Sequence, residues 1–530
     1  MVNRKTTLGQ PPELDLTHSN VDAENPVFQP MLSDLQANIL KGHGRRFAHH
    51  IFLQLQAPKI GDAKRWISDF ATSRVTSALK LEKGRHTFKA TGADGGAVFT
   101  LSISASGYAA LGFTPDIFPK EQETPANSIV RDQPAFPNGA KANAAKLGDG
   151  DVQVDWDVPF RNNVDILIII ADDQPQKARQ LAEVLIAEVK GFSTLLLNQK
   201  GHVLYRTVSL TEHVNIEHFG YADGVSHPLY YKDEIETQSS TTNWNDEEPL
   251  NLVLVPDPHG RDYNSFGSFL VFRKLEQNVA GFMDGEEKLF APIKDSDGIV
   301  NQNLPGAMMI GRFRNGNPLV TSGGFTGNIR SEFQISNDFD YSNDSPPPPS
   351  SVPQYGSKCP FFAHTRITNP RSDIRVVPST FTHSVRLTRR SIPYQDISRF
   401  GEGKEDLVTP TDQELNDSRP VQGVGLLFMS YQAHIGKQFE FIQNNWANHG
   451  HIAGRNIGQD GVVGQKSPIP PGLPFKPPAP DLTPRRLPDQ WGCPVNPTKP
   501  EITFGGFIKS KGGEYFFTPS ISFLRLLAIS

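Results

Sequence analysis

The chain has 530 residues, more than a single hydrophobic core usually supports, so two domains are expected. Its net charge of −5 at pH 7 argues against general nucleic-acid binding, which needs a basic face. The two cysteines, Cys359 and Cys493, allow one disulfide at most and exclude a disulfide scaffold.

The N-terminal residues 1–30 are polar and contain several prolines, which predicts a mobile or surface-wrapped arm. No apolar leader is visible there, and the longest apolar run, 164–171, is too short to cross a bilayer. We therefore expect a soluble, cytoplasmic protein with no membrane partner, although export without a signal peptide stays open.

Residues 31–230 carry the alternation of an α+β domain. The segments are predicted as strand, helix, strand with a short helix, strand, helix and strand, over 49–56, 61–78, 97–113, 164–173, 174–190 and 202–210. That order is the ferredoxin-like pattern.

Residues 231–530 repeat this theme with longer insertions. Strands are predicted over 267–277, 381–394 and 424–432, a helix over 435–449, and a closing segment over 513–528. Two Pro-rich stretches, 342–357 and 466–484, are predicted to be insertions outside the core, because consecutive prolines favour polyproline II.

His364 lies between an apolar and a basic segment, in "CPFFAHTRITNPR". An imidazole at the wall of an apolar pocket can bind a metal or a haem iron, and Arg371 nearby could meet an anionic group such as a haem propionate. A core histidine beside surface arginines is the competing interpretation.

Asp223 lies between two glycines, Gly220 and Gly224, which allow a close backbone approach. Asp-Gly is also an ordinary turn signal. Arg389 and Arg390 would point to opposite faces of a strand, so one of them could face a cavity, or both could protect an exposed edge.

Six motifs in order give the chain a family resemblance. It resembles a dye-decolorising peroxidase of the long form found in fungi and some bacteria, through "LQANILKGHGR" (35–45), "HFGYADGVSHP" (218–228), "FLVFRKLEQ" (269–277), "FFAHTRITNPR" (361–371), "RRSIPY" (389–394) and "GEYFFTPSISFL" (513–524). The departures are Ala37 and Ser391, where glycine is common in the family.

The resemblance implies two ferredoxin-like domains with antiparallel sheets and haem b (heme b, iron protoporphyrin IX) in a cavity mainly of the C-terminal domain. It implies His364 as the proximal iron ligand and Asp223 as the distal acid and base. Arg389 would be the distal arginine that stabilises charge during O–O cleavage, with Arg390 as the alternative.

Four further residues match cofactor-binding positions of the family. Arg371 matches a residue that meets a haem propionate, and Asp460 matches the acid that accepts a hydrogen bond from the proximal imidazole. Leu426 and Phe428 match apolar residues near the distal face, although on a strand they are most simply core.

Bulky dyes cannot enter a small haem pocket, so the resemblance also implies electron transfer through surface aromatic residues. Tyr394 and Trp446 are the candidates, and plain packing is the alternative for both.

The expected function is therefore reduction of H2O2 coupled to oxidation of bulky dyes and phenolic compounds. Two alternatives stay open: a non-catalytic haem-binding or carrier protein, and a haem enzyme of the chlorite dismutase type. Neither of these needs a distal carboxylate together with an arginine. The sequence does not indicate an oligomeric state.

Overall fold

The computed structural model describes residues 14–122, 134–207, 213–237, 243–289, 293–295, 297–321, 337–341, 358–371, 379–452, 455–466, 484–493, 495 and 497–529. The predicted insertion 342–357 lies outside these residues, as do residues 467–483 of the second insertion and the first 13 residues of the arm.

Strands occur in both halves of the chain. They are β1 (Phe47–Leu55), β2 (Val98–Ser104), β3 (Ile166–Asp172), β4 (Ser193–His202), β5 (Leu204–Thr207), β6 (His213–Ile216), β7 (Val255–Pro256), β8 (Phe266–Gln277), β9 (Thr388–Arg389), β10 (Ile392–Gln395), β11 (Val424–Gln432), β12 (His451–Ile452), β13 (Arg455–Asn456) and β14 (Ile508–Thr518).

Most helices are short. They are α1 (Gln29–Asp34), α2 (Ile60–Ser73), α3 (Ala78–Thr91), α4 (Ala105–Ala110), α5 (Gly139–Leu147), α6 (Val158–Arg161), α7 (Pro175–Val189), α8 (Lys232–Thr237), α9 (Val279–Lys288), α10 (Leu304–Ile310), α11 (His364–Thr368), α12 (Ser379–Ser384), α13 (Asp412–Asp417) and α14 (Ile521–Leu526). Two π-helical segments cover Gly436–Glu440 and Ile442–Asn448. Among the described helices, none has both the length and the apolar composition needed to cross a membrane.

The main sheet is antiparallel and joins the two halves. Its order is β10-β11-β8-β14-β2-β3-β1-β4. In the first half β1 lies between β3 and β4, and in the second half β8 lies between β11 and β14. A first strand between the third and the last is the ferredoxin-like arrangement. Pairing of β14 with β2, at Phe516 opposite Ser104, connects the halves. The expected α+β fold with two ferredoxin-like, antiparallel units is confirmed.

The two end strands of this sheet, β4 and β10, approach each other. A Cβ atom at Gly201 would lie 2.8 Å from Cγ2 of Ile392 and 3.3 Å from the carbonyl oxygen of Pro393. The absence of a side chain at Gly201 lets the ends meet, so the sheet curls into a barrel.

Apolar patterning explains the elements that the sequence predicted well. All seven residues of β3, "ILIIIAD", are buried, as expected of a strand covered on both faces. Helix α7 begins with Pro175, which suits a first helical turn, and it buries Ala178, Ala182 and Leu185 on one face.

Two predicted elements differ from the structure. The strand predicted over 202–210 forms as β5, but β5 pairs with β6 outside the main sheet, and the fourth strand of the first half in that sheet is β4. Strand β4 was missed because burial does not alternate along its leucines; Leu195 is exposed. The strand predicted over 381–394 begins inside helix α12. Within this segment, only the short strands β9 and β10 are extended and pair with β11.

One hydrophobic core contains residues of both halves, including Ile168 and Phe272. The described part of the arm contributes to it, since Val21 is 1% exposed and its N–H donates to the carbonyl of Tyr230 at 2.8 Å. The domain boundary at residue 230 stays a prediction.

Replacing Gly425 with alanine should destabilise the sheet. Its Cβ would overlap the carbonyl oxygen of Leu275 on β8 and lie 2.8 Å from Cε1 of Tyr394. We expect a loss of about 1–3 kcal/mol in the free energy of unfolding, measured by urea denaturation. The control is Gly191→Ala, whose Cβ has nothing within 4 Å. Equal unfolding midpoints for the two variants would contradict this packing.

Candidate active site

A cavity of about 260 Å³ brings together most of the residues singled out in the sequence. Helix α11 contributes His364, the loop after β6 contributes Asp223, and β9 contributes Arg389. Strand β11 supplies Leu426 and Phe428 as apolar wall. Four separate segments therefore converge on one space.

The loop that carries Asp223 is held in a fixed shape. Gly220 and Gly224 both have positive φ, 85° and 73°, a conformation that favours glycine. The carboxylate of Glu217 accepts a hydrogen bond from the N–H of Tyr221 at 3.0 Å. The N–H of Asp223 donates to the carbonyl oxygen of Asn215 on β6 at 2.9 Å. The glycines thus serve the turn that presents Asp223.

Asp223 and Arg389 form a close ion pair at the cavity wall. Nη2 of Arg389 lies 2.7 Å from both carboxylate oxygens. Burial raises the pKa of Asp223, but the Arg389 guanidinium outweighs burial and holds that pKa below its usual value. Arg390 instead donates to the carbonyls of Asn38 and Ile39, at 3.0 and 2.9 Å. Arg389, rather than Arg390, is the arginine beside the acid.

His364 is the first residue of α11, and its ring is oriented by Asp460. Nδ1 lies 2.9 Å from Oδ2 of Asp460, while Oδ1 accepts the N–H groups of Val462 and Val463 at 2.7 and 2.9 Å. Burial raises the pKa of Asp460, but His364 and the backbone donors outweigh it and lower that pKa. Because Nδ1 is engaged, Nε2 is the nitrogen available to a metal.

Two arginines on the cavity wall, Arg371 and Arg312, form no ion pair with a carboxylate of the described residues. Arg371 has a φ of 50°, donates to the carbonyls of Asn337 and Phe339, and lies 3.7 Å from the Phe339 ring centre. Burial lowers its pKa to about 9. Buried cations without such a partner suit an anionic ligand.

The distal apolar residues predicted from the sequence also line this cavity. Leu426 and Phe428 are half-buried on the same face of β11. The Phe428 ring centre lies 5.8 Å from Cζ of Arg389. An apolar neighbour limits water around the ion pair and so strengthens it.

Neither aromatic residue expected at the surface is found there. Tyr394 is 0% exposed and Trp446 is 3% exposed. Tyr394 lies on β10 and is part of the main hydrophobic core, and Trp446 faces the cavity from a π-helical segment. The expectation that these rings meet bulky dyes at the surface was therefore wrong.

Tyr221 is a cavity residue that the sequence analysis missed. Its hydroxyl donates to Oε1 of Glu286 at 2.5 Å, and Arg314 pairs with the same carboxylate. Its position two residues before Asp223 was a signal, but Glu286 lies on the distant helix α9, and nothing in the sequence pattern connects the two.

Comparison with known proteins identifies the class of enzyme. The family model described as the DyP dimeric alpha+beta barrel domain matches residues 34–203. The multifunctional dye peroxidase DyP2 of Amycolatopsis is 32% identical over 508 residues, covering 94% of this chain and 96% of that protein.

Solved structures agree with this class. A DyP-type peroxidase of Anabaena superposes with a TM-score of 0.77 at 31% identity, covering 97% of this chain and 99% of that one. A dye-decolorizing peroxidase in complex with 2,6-dimethoxyphenol gives 0.67 at 26% identity, covering 94% and 99%.

The chain belongs to the dye-decolorising peroxidase family. The resemblance expected from the sequence is confirmed, and so are the fold and the enzyme class, a peroxidase. Members of this family are haem enzymes, which agrees with the cofactor expected for the cavity.

Proposed function

We propose that this protein is a haem b peroxidase that reduces H2O2 and oxidises bulky dyes and phenolic compounds. One observation carries the proposal. A single cavity contains a carboxylate–guanidinium pair, Asp223 with Arg389, together with an imidazole, His364, that is backed by a buried carboxylate. A peroxidase needs both groups around one cofactor.

The residues present fit a haem. His364 keeps Nε2 for the iron, and the cavity walls include the apolar side chains of Leu426 and Phe428. Arg371 and Arg312 suit the two propionates, because both are buried and neither forms an ion pair with a carboxylate of the described part of the chain. Bound haem would supply the iron that accepts the oxidising equivalents of peroxide.

Asp223 would act as the acid and base of the reaction with peroxide. Its carboxylate would take the proton from one peroxide oxygen and deliver it to the other, which then leaves as water. A carboxylate with a lowered pKa is ionised before peroxide arrives, so it is ready to accept that proton.

Arg389 would have two roles beside Asp223. Its guanidinium stays charged at any working pH, so it can stabilise negative charge that develops on the departing oxygen. Its bond to both carboxylate oxygens at 2.7 Å also keeps Asp223 ionised and oriented.

Asp460 would tune the iron ligand. By accepting the Nδ1–H of His364, it fixes the tautomer and makes the imidazole a more basic ligand. Two backbone N–H donors hold the carboxylate in place, so this orientation does not depend on the cofactor.

Two alternative functions fit the cavity less well. A haem carrier would need His364 but has no use for Asp223 paired with Arg389. A chlorite dismutase type of reaction does not call for the distal carboxylate. The ion pair at 2.7 Å therefore favours the peroxidase.

A spectrum of the haem-loaded protein tests the proposal. We expect the Soret band to change on addition of one equivalent of H2O2, followed by oxidation of an added dye at acidic pH. A bound haem whose Soret band does not respond to peroxide would favour the carrier.

The pH profile should report Asp223. With its pKa lowered from the usual 3.8, the carboxylate is protonated only as the pH falls below that value, so the rate of reaction with peroxide should fall there. Arg389→Gln removes the largest of the contributions that lower the Asp223 pKa, so burial weighs more and the acid midpoint of the rate should move to higher pH. Burial and the two arginines lower the pKa of nearby His227 to about 3, so this imidazole is neutral at pH values well above 3 and titrates only at the acid end of the profile.

The readout is the pH at which the rate of reaction with peroxide falls to half, rather than the rate itself, because loss of Arg389 also slows the reaction. The matched control is Arg390→Gln, which removes a neighbouring cation that bonds only backbone carbonyls. An unshifted midpoint in Arg389→Gln would show that the ion pair does not control the Asp223 pKa.

A further inference from the structure

A buried tyrosine–carboxylate pair lies in the wall of the cavity. The Tyr221 hydroxyl donates to Oε1 of Glu286 at 2.5 Å, and the two residues are 5% and 9% exposed. Helix α10 makes room for them at Gly306, where a Cβ would collide with both the Tyr221 hydroxyl and the Glu286 carboxylate. The packing around this pair is built for a direct hydrogen bond.

A phenol loses an electron more readily when its proton can leave at the same time, and Glu286 is placed to take that proton. Burial raises the pKa of Tyr221 well above its usual value, so the resting phenol stays protonated. Burial also raises the pKa of Glu286, which makes this carboxylate a better proton acceptor.

Arg314 connects the pair to the protein surface. It pairs with Glu286, its Cζ lies 4.6 Å from the Tyr221 ring centre, and its side chain is 28% exposed. A cation over the ring opposes loss of an electron without loss of the proton. Oxidation of Tyr221 therefore depends on proton transfer to Glu286, one side chain below the solvent.

Other tyrosines lack this combination. The Tyr394 hydroxyl has no hydrogen-bond partner among the described residues, and Lys274 Nζ lies 4.9 Å from its ring centre. Tyr515 donates to Glu440 at 2.8 Å but does not line the cavity. Of the tyrosines in the described ranges, Tyr221 alone both lines the cavity and donates to a carboxylate.

We propose that Tyr221 is the redox relay through which electrons from bulky donors reach the cavity, with Glu286 as its proton acceptor. The inference rests on the proposed peroxidase function. Tyr221 gives one electron to the peroxide-oxidised haem and its O–H proton to Oε1 of Glu286. A phenolic donor at the surface then returns one electron, Glu286 returns the proton to the tyrosyl oxygen, and the donor releases its own proton to solvent.

The test is electron paramagnetic resonance of haem-loaded protein frozen shortly after mixing with H2O2. Wild type should show a tyrosyl signal whose hyperfine splitting narrows when ring-deuterated tyrosine is incorporated. Tyr221→Phe should lose that signal and oxidise a bulky dye more slowly. Tyr515→Phe, which removes the other carboxylate-bound phenol, should keep both.

A second variant separates the relay from packing. Glu286→Gln can still accept the hydrogen bond from Tyr221 but cannot take its proton, so the tyrosyl yield should fall while the Soret response to peroxide is kept. A full tyrosyl signal in Tyr221→Phe, or an undiminished one in Glu286→Gln, overturns the relay alone. A wild-type Soret band that ignores peroxide overturns the proposed function and the relay with it.

Discussion

Replacing His364 with alanine is expected to remove haem from the purified protein almost completely. Among the cavity residues that the structure describes, this imidazole is the one side chain that combines a free ring nitrogen with a fixed orientation, since Nδ1 is held by Asp460 at 2.9 Å. Loss even of such an outer hydrogen-bond partner typically costs 10- to 100-fold in metal affinity, so loss of the ligand itself should cost more.

The measurement is haem stoichiometry of the variant, with the Soret band recorded beside it. The matched control is His18→Ala, because the His18 side chain is 74% exposed and lies in the N-terminal arm. Full haem content with an unchanged Soret band in His364→Ala would show that another group holds the iron.

Replacing Asp223 with asparagine should leave haem bound but slow the reaction with peroxide by about 10²- to 10⁴-fold, the usual contribution of a positioned acid and base. Asparagine has nearly the same shape, so the loop between Gly220 and Gly224 keeps its turn. It cannot carry the proton between the peroxide oxygens, and it does not neutralise Arg389.

Stopped-flow measurement of the second-order rate with H2O2, across the pH range, gives this number. Asp412→Asn is the matched control, since Asp412 pairs with Arg206 at 2.9 Å and its side chain is 62% exposed. Peroxide reactivity equal to wild type at every pH would remove Asp223 from the mechanism.

Elements with a strong apolar pattern could be predicted from the sequence. Strand β11 was predicted with its observed bounds, 424–432, and α7 within one residue at each end. Buried strands and amphipathic helices carry their own signal, because each must cover an apolar face. The strand β4 carried no such signal, since its side chains lie in mixed environments.

The segment 379–395 shows a different limit. Its residues are compatible with a strand throughout, yet the chain forms helix α12 first, and only two residues of β9 and four of β10 pair with β11. Pairing with a distant strand decided the outcome, and local propensity did not contain that information.

Motif residues could be named from the sequence, but their contacts could not. Arg389 was expected to be the distal arginine with Arg390 as the alternative, and only the structure pairs Arg389 with Asp223 and Arg390 with backbone carbonyls. Tyr394 and Trp446 were expected at the surface because the family resemblance implied a surface route for electrons, whereas the fold buries both rings. The bond between Tyr221 and Glu286 joins segments 65 residues apart and follows only from the fold.

A crystal structure of the haem-loaded protein would show directly which residues surround the iron. We expect iron bound by the imidazole of His364, with the side chains of Asp223 and Arg389 on the other face of the macrocycle. Iron held by a different residue, or an Asp223–Arg389 pair turned away from the haem, would contradict it.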